Sequence, residues 1–299
     1  MEKAQINYKE QVVQKIKKLF SSIRRIFFGN LNSKIGSTII LAFLFLGLFG
    51  SLIFPYSDGV DTSKQLLGAS LAHPFGYDLW GRDVFRQCIE GTRSILIITV
   101  LTAFITTTIG VVLGILSGLI GGAFDKFIQF VANVFLTIPS LPVFLILASL
   151  FTVENAFIFA LILSIFNWAG LCRSVRAQII SLKERDFIQI CKVMKMSTFH
   201  IVFKELLPNI ASYIIINFII IMKNAITGSV SLMFLGVVAL EPTNWGTILS
   251  LAKTNGALIN PASYMWLFGP IICIALLQTG AILLSNGLDE TLNPRLRVM

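Results

Sequence analysis

Few residues in this chain have the types and spacing that chemistry at a site requires. The two histidines are His73 and His200, and only His73 has acids close by, Asp78 and Asp83, in HPFGYDLWGRDVF. A lone imidazole among loop carboxylates is ordinarily structural, so no metal site is assigned. Cys88, Cys172, Cys191 and Cys273 form no CxxC pair. They read as small apolar residues, not as disulfides or metal ligands. GxxxxGK(S/T), GxSxG and HExxH are all missing, which leaves no P-loop, no acyl-transfer elbow and no zinc-protease helix. No catalytic residue is assigned. One charge stands apart: Lys223, in IIIMKNAITGS. An ionisable side chain within an apolar run is costly in lipid and marks function when it faces a wet path. Lys223 either faces a pore, where it meets a substrate carboxylate or an acid of another subunit, or is satisfied by a carbonyl at a helix break near Asn224 or by snorkelling.

The elements that must position such residues are membrane spans. Of 299 residues, 55% are hydrophobic and 13% charged, and the mean hydropathy is +0.81, far outside the range of soluble domains. The net charge of +9 does not point to nucleic acid, because Lys and Arg gather between apolar runs without aromatic interleaving. A span needs about twenty mostly apolar residues. Six runs qualify, near 35–54, 94–120, 127–152, 155–180, 210–240 and 266–288. With the N-terminus inside, the inner segments hold 18 basic residues against 5 outside, with Lys223 left within a span. Both termini are therefore expected in the cytoplasm. The domain plan is a basic segment 1–34, a first span 35–54, an outer loop 55–93, a core 94–288 with five spans and an inner loop 181–209, and a tail 289–299. The first span lacks a small-residue cleavage site and reads as a retained anchor. Val13, Ile16, Phe20, Ile23 and Phe27 before it recur at helical spacing among Lys and Arg, as in a basic helix lying on lipid or a simple topological anchor.

Gly110, Gly114, Gly118 and Gly122 recur every four residues, which predicts a helix face that another backbone approaches closely. Pro139 and Pro142 predict a kink in the third span. In the outer loop, Arg82, Asp83, Arg86, Glu90 and Arg93 predict a short interfacial helix. The inner stretch LKERDFIQICKVMKMSTFHIVFKELLPN, residues 182–209, is the most polar part of the second half. Read as a helix, it carries Phe187, Ile190, Cys191 and Met194 on one face, with Lys183, Arg185, Gln189 and Lys192 largely on others. A break follows at Lys195, Ser197 is a helix N-cap, and Leu207-Pro208 marks entry to the next span. An apolar stripe that its own chain leaves uncovered needs a partner.

Here the chain resembles the permease subunits of bacterial and archaeal ABC importers, in the dipeptide, oligopeptide and nickel group, as the second permease of the pair. That family's inner loop reads EAA, three residues, Gly, nine residues, a hydrophobic position, one residue, Leu-Pro. Gln189-Ile190-Cys191 fall on the EAA, Lys195 on the Gly and Leu207-Pro208 on the Leu-Pro, so the spacing is kept while four signature residues change. FGYDLWGRDVF resembles the family's GTDxxGRDxF, with Tyr77 for Thr. GLIGGAFDKFIQFVANVFLTIPSLP, WAGLCRSVRAQIISLKERDF, SLMFLGVVALEPTNWGTIL and LNPRLR match further family segments in order, from about residue 35 onward.

The resemblance implies an all-α, six-span, type I importer permease in the cell membrane of a bacterium or archaeon. It would pair with a second homologous permease, two cytoplasmic ATPase subunits and an outer substrate-binding protein. ATP and magnesium would sit on the ATPases, and no cofactor on this chain. Asp186, Phe187, Ile190, Cys191, Met194, Lys195, Ser197, Leu207 and Pro208 would form the ATPase-coupling segment. Lys195 in place of Gly and Gln189 in place of an acid predict an altered joint. Di- or oligopeptides are the expected cargo, with nickel or metal chelates and oligosaccharides as alternatives. A secondary transporter or channel would need inverted repeats and several midplane charges, and an anchored enzyme would need a catalytic constellation. Neither pattern is present.

Overall fold

The computed structural model describes residues 27–150, 153, 155–238 and 240–292. The expected amphipathic segment before residue 27 and the tail beyond Leu292 lie outside the described residues. In lipid each backbone N–H and C=O must be satisfied within its own segment, so long apolar runs become helices. In order these are α1 (Leu31–Ile53), α2 (Val84–Ile120), α3 (Gly122–Thr137), α4 (Ser140–Leu150), α5 (Ala156–Lys183), α6 (Asp186–Val193), α7 (Thr198–Phe234), α8 (Trp245–Thr254) and α9 (Tyr264–Leu292). Helices α1, α2, α5, α7 and α9 are each long and apolar enough to cross a bilayer. Helix α3 with most of α4 passes the same test as a pair bent by 87°.

Three boundaries differ from the sequence reading. The third span is not one kinked helix but two helices. Ile138 precedes Pro139, and a residue before proline is pushed out of the helical region; its φ of −76° and ψ of 127° are extended. Pro142 then sits in the first turn of α4, where its missing N–H leaves nothing unpaired. The second span begins ten residues early, because the interfacial helix expected near Arg86 is its first part. Asp83 caps it, accepting from Phe85 N at 2.9 Å and Arg86 N at 3.2 Å. At 1.5 Å per residue the 37 residues of α2 rise about 55 Å, well beyond the roughly 30 Å hydrocarbon layer, so the charged start stands clear of it. The fifth span likewise begins at Thr198 instead of near Pro208.

Helix α2 packs chiefly on α5, α1 packs on α9, and α7 fills the space between α2 and α9. Lipid tails are as apolar as leucine, so close interdigitation, not escape from water, holds such pairs together. Gly110, Gly114 and Gly118 allow this. A Cβ on Gly114 would lie 2.7 Å from the Cys172 carbonyl and 2.8 Å from Val175 Cβ, and one on Gly118 would strike Ile179. The glycine face therefore serves this chain's own α5. Gly122 does not belong to it: its φ is +59° at the turn into α3, and nothing lies within 4 Å of a Cβ there. Wide apolar surface on α1, including Leu44, Leu48 and Leu52, and on α2, including Val100 and Phe104, stays exposed, as a lipid-facing wall requires.

Trp245 is fully buried where α8 meets α1 and α2, and its Nε1 donates to the Cys88 carbonyl at 2.8 Å. At the opposite end of the bundle Ile179, Ile188, Leu206 and Ile210 close a second core beneath α6.

Candidate functional site

The end of the bundle that carries α6 is built by two connections. Helix α6 has eight residues and an acid, Asp186, in its first turn, where the helix dipole favours negative charge. Its C-terminus closes with Met196 N donating to the Cys191 carbonyl at 3.0 Å and Lys195 N to the Lys192 carbonyl at 2.9 Å. That paired pattern is the Schellman cap, and it puts Lys195 at φ +54°. Lys195 thus makes, at some strain, the bend for which glycine is the usual residue. Ser197 caps α7, its Oγ accepting from His200 N at 3.2 Å. Residues Ile201–Leu206 form a π-helical turn in which Leu207 N donates to the Val202 carbonyl, five residues back. The wider register brings the chain to Pro208, which lacks a donor, without breaking the helix.

The apolar residues of α6 divide in a way that spacing alone did not show. Ile188 and Cys191, three apart, turn inward and are 1% and 7% exposed, packed in the core with Ile201 and Leu206. Cys191 therefore leaves the expected outer stripe. Ile190, Val193 and Met194 are 57%, 82% and 63% exposed, with Phe187 at the margin. Phe199 and Phe203 at the start of α7 extend the same uncovered surface, their ring centroids 4.3 Å apart. Val193, Phe199 and Phe203 were not singled out, although Phe199 and Phe203 are spaced i, i+4 in TFHIVFKELL.

Behind this surface the bundle is clamped. Arg176 of α5 grips Asp125 of α3 with Nε to Oδ1 at 2.5 Å and Nη2 to Oδ2 at 2.6 Å. Ser117 donates to the same carboxylate, and Lys183 Nζ reaches the Leu119 carbonyl at 3.2 Å. The pair is 51 residues apart in sequence. Its only sequence signal is that Asp125 and Arg176 fall inside two of the quoted segments.

At the other end, the loop before α2 is organised by buried Asp78. It accepts from Trp80 N, Arg82 N, Arg82 Nε and Gln87 Nε2 at 2.8–2.9 Å. His73 Nδ1 lies 2.6 Å from Asp83 Oδ2, so the imidazole braces the cap of α2. The Lys64 ammonium at 2.8 Å, with the Ser63 hydroxyl, holds the Asp61 carboxyl down at about 2. Burial pushes the Tyr56 phenol above its usual range. Among the described residues no group of three or more His, Cys, Asp and Glu is placed to hold a metal ion.

Lys223 lies in the last third of α7, eleven residues before Phe234, half-buried beside a recess of about 220 Å³ shared with Ser285 and Asn286 of α9. Among the described residues it makes no ion pair. Asn224 is exposed. No helix break occurs near it, since α7 runs unbroken to Phe234, so the reading in which a freed carbonyl satisfies Lys223 does not hold.

Residues 110–298 match the model of a family described as the binding-protein-dependent transport system inner membrane component. The dipeptide transport system permease protein DppC of Bacillus subtilis is 32% identical over 263 residues, covering 86% of this chain and 80% of that protein. A putative peptide permease protein of Brucella ovis is 29% identical over 272 residues, 90% and 89% of the two chains. The oligopeptide transport system permease protein OppC of Haemophilus influenzae is 28% identical over 302 residues, 97% and 95% of the two chains.

Proposed function

This chain belongs to the family of binding-protein-dependent transport system inner membrane components, as the permease subunit of an ABC importer, and from that premise we propose its cargo, partners and coupling face. The cargo is di- or oligopeptide, in keeping with the names of the relatives. The chain pairs with a second, homologous permease and with two cytoplasmic ATPases, which carry ATP and magnesium, and it receives substrate from a binding protein outside. The α6 end faces the cytoplasm, because Lys126, Arg173, Lys183, Arg185, Lys192, Lys195 and Lys204 gather there.

The observation that carries the coupling assignment is the uncovered apolar surface of Ile190, Val193 and Met194, continued by Phe199 and Phe203. It lies at the end of the bundle where Lys183, Arg185, Lys192, Lys195 and Lys204 gather. A groove on an ATPase would cover it. The inner side of the same short helix, Ile188 and Cys191, is rooted in the core under α5 and α7. Motion of the ATPase pair would thus pass into two spans through packed side chains, and the spans would shift between inward-open and outward-open arrangements.

The test is ATP hydrolysis by the whole assembly in membrane discs, with and without binding protein and peptide, comparing wild type with a Phe187→Ala, Ile190→Ala, Met194→Ala variant. Loss of binding-protein-stimulated hydrolysis or of co-purifying ATPase is expected, since each buried side chain contributes about 1.5–3 kcal/mol. A variant that stays fully stimulated and still transports refutes the docking face.

A further inference from the structure

The lipid-facing wall of α1 and α2 carries an open groove of about 440 Å³ between the two helices. Its lining is aliphatic, from Leu44 and Leu48 of α1 to Leu96, Ile97 and Val100 of α2, except for Gly47 and Arg93. Helix α1 rises about 35 Å over its 23 residues, close to the thickness of the hydrocarbon layer, so its ends mark the two borders. Gly47 is six residues, about 9 Å, short of Ile53. It lies against Arg93, since a Cβ on Gly47 would sit 3.7 Å from the Arg93 Cα. Arg86, two turns earlier on α2, donates from Nη1 to the carbonyl of Pro55, just past the end of α1. Arg93 therefore starts inside the hydrocarbon, about one long side chain from its border, on the side opposite α6.

A guanidinium at that depth needs an anion, and the helices around the groove supply none. Arg93 is exposed and makes no ion pair among the described residues. Helix α1 has no charged residue between Lys34 and Asp58, and none follows Arg93 on α2. Glu90, one turn earlier on α2, is the nearest acid along that helix and is not paired with it. Helical side chains tilt towards the N-terminus of their helix, which for α2 is the end near Pro55. The stem of Arg93 thus leads to the headgroup layer, where phospholipids present their phosphates. We propose that this groove is a phospholipid site, with an acyl chain lying along Leu44, Leu48, Leu96, Ile97 and Val100 and the lipid phosphate on the Arg93 guanidinium, whose planar fork suits a phosphate. A helix of another subunit in the same place would have to bring an acid into the hydrocarbon, itself costly. The inference stands on the spans alone, independent of cargo and coupling face.

The experiment uses the complete transporter, purified in mild detergent and stripped of loosely held lipid. It is titrated with phosphatidylglycerol, or with diacylglycerol of the same chains, which lacks the phosphate. Lipid bound per assembly is counted by native mass spectrometry in wild type, Arg93→Gln, Arg93→Lys and Val100→Phe. A charge-assisted hydrogen bond corresponds to about a tenfold to hundredfold preference. The tightest phosphatidylglycerol site of wild type is expected to weaken by that factor in Arg93→Gln and to be largely kept in Arg93→Lys. Diacylglycerol should bind wild type and Arg93→Gln alike, and weakly. Val100→Phe puts a ring into the groove from an exposed position and should displace the lipid while the charge remains.

Equal phosphatidylglycerol affinity in wild type and Arg93→Gln overturns the proposal. Diacylglycerol that binds wild type as tightly as phosphatidylglycerol does so too, because the phosphate then contributes nothing. Full retention of the lipid in Val100→Phe places it somewhere other than this groove. An Arg93→Gln assembly that sheds its second permease on purification also overturns it, and assigns Arg93 to an acid of that subunit.

Discussion

Replacing Lys195 by glycine should stabilise the cap of α6. Lys195 holds φ at +54°, where an L-residue with a Cβ pays about 1–2 kcal/mol that glycine avoids. Glycine gives back part of this, about 0.5–1 kcal/mol, through the greater freedom of its unfolded chain. The net gain is about 1 kcal/mol, or roughly fivefold in a local opening equilibrium. The amides that report on this opening are Lys195 N, bonded to the Lys192 carbonyl, and Met196 N, bonded to the Cys191 carbonyl. Hydrogen exchange at these two amides, corrected for intrinsic rates, should slow by about fivefold in Lys195→Gly. Lys195→Ala keeps the Cβ and should show no such slowing, and Lys195→Val, with a branched Cβ, should exchange faster than wild type. Equal exchange in the glycine and alanine variants, or faster exchange in the glycine variant, would refute the strain assigned to this bend.

The glycine face and the clamp behind α6 each make a prediction. Gly114→Leu should force α2 away from the Cys172 carbonyl and Val175, costing about 1–3 kcal/mol or more, read as a lower midpoint of thermal unfolding in detergent. Gly122→Ala has open space around its Cβ and should cost only the positive-φ penalty, about 1–2 kcal/mol; a larger loss at Gly122 than at Gly114 would reverse the packing assignment. Asp125→Asn leaves the Arg176 guanidinium without its two-point partner and should lower stability by about 1–2 kcal/mol. Arg176→Lys, which keeps the charge and loses the fork, should recover part of it, as the same unfolding measurement would show.

The spans were legible because lipid imposes a length and a composition on anything that crosses it. The break at Pro139 was legible as a disturbance, though its 87° angle was not. The early start of α2 was hidden because Arg86, Glu90 and Arg93 look like loop residues; the usable signal was Asp83 as an N-cap, two residues before Phe85. Lys195 was legible as a departure at a glycine position, and the backbone there keeps the glycine conformation with lysine in place. Gly122 continued the fourfold spacing and was misplaced for that reason, since periodicity cannot see where a helix ends.

The sequence by itself determined the class of molecule, the membrane-spanning helices and the family. These follow from local composition and from ordered motifs. Which side of α6 is covered, which helix the glycines receive, and what lies across from Lys223 were decided only by tertiary structure. Cys191 sits beside Phe187 and Ile190 on the helix, yet it is buried because the ends of α5 and α7 close over that side. Asp125 meets Arg176, and Lys223 faces Ser285 and Asn286, across gaps of fifty residues or more. Such contacts depend on how helices are set against one another, and no spacing along the chain encodes that directly.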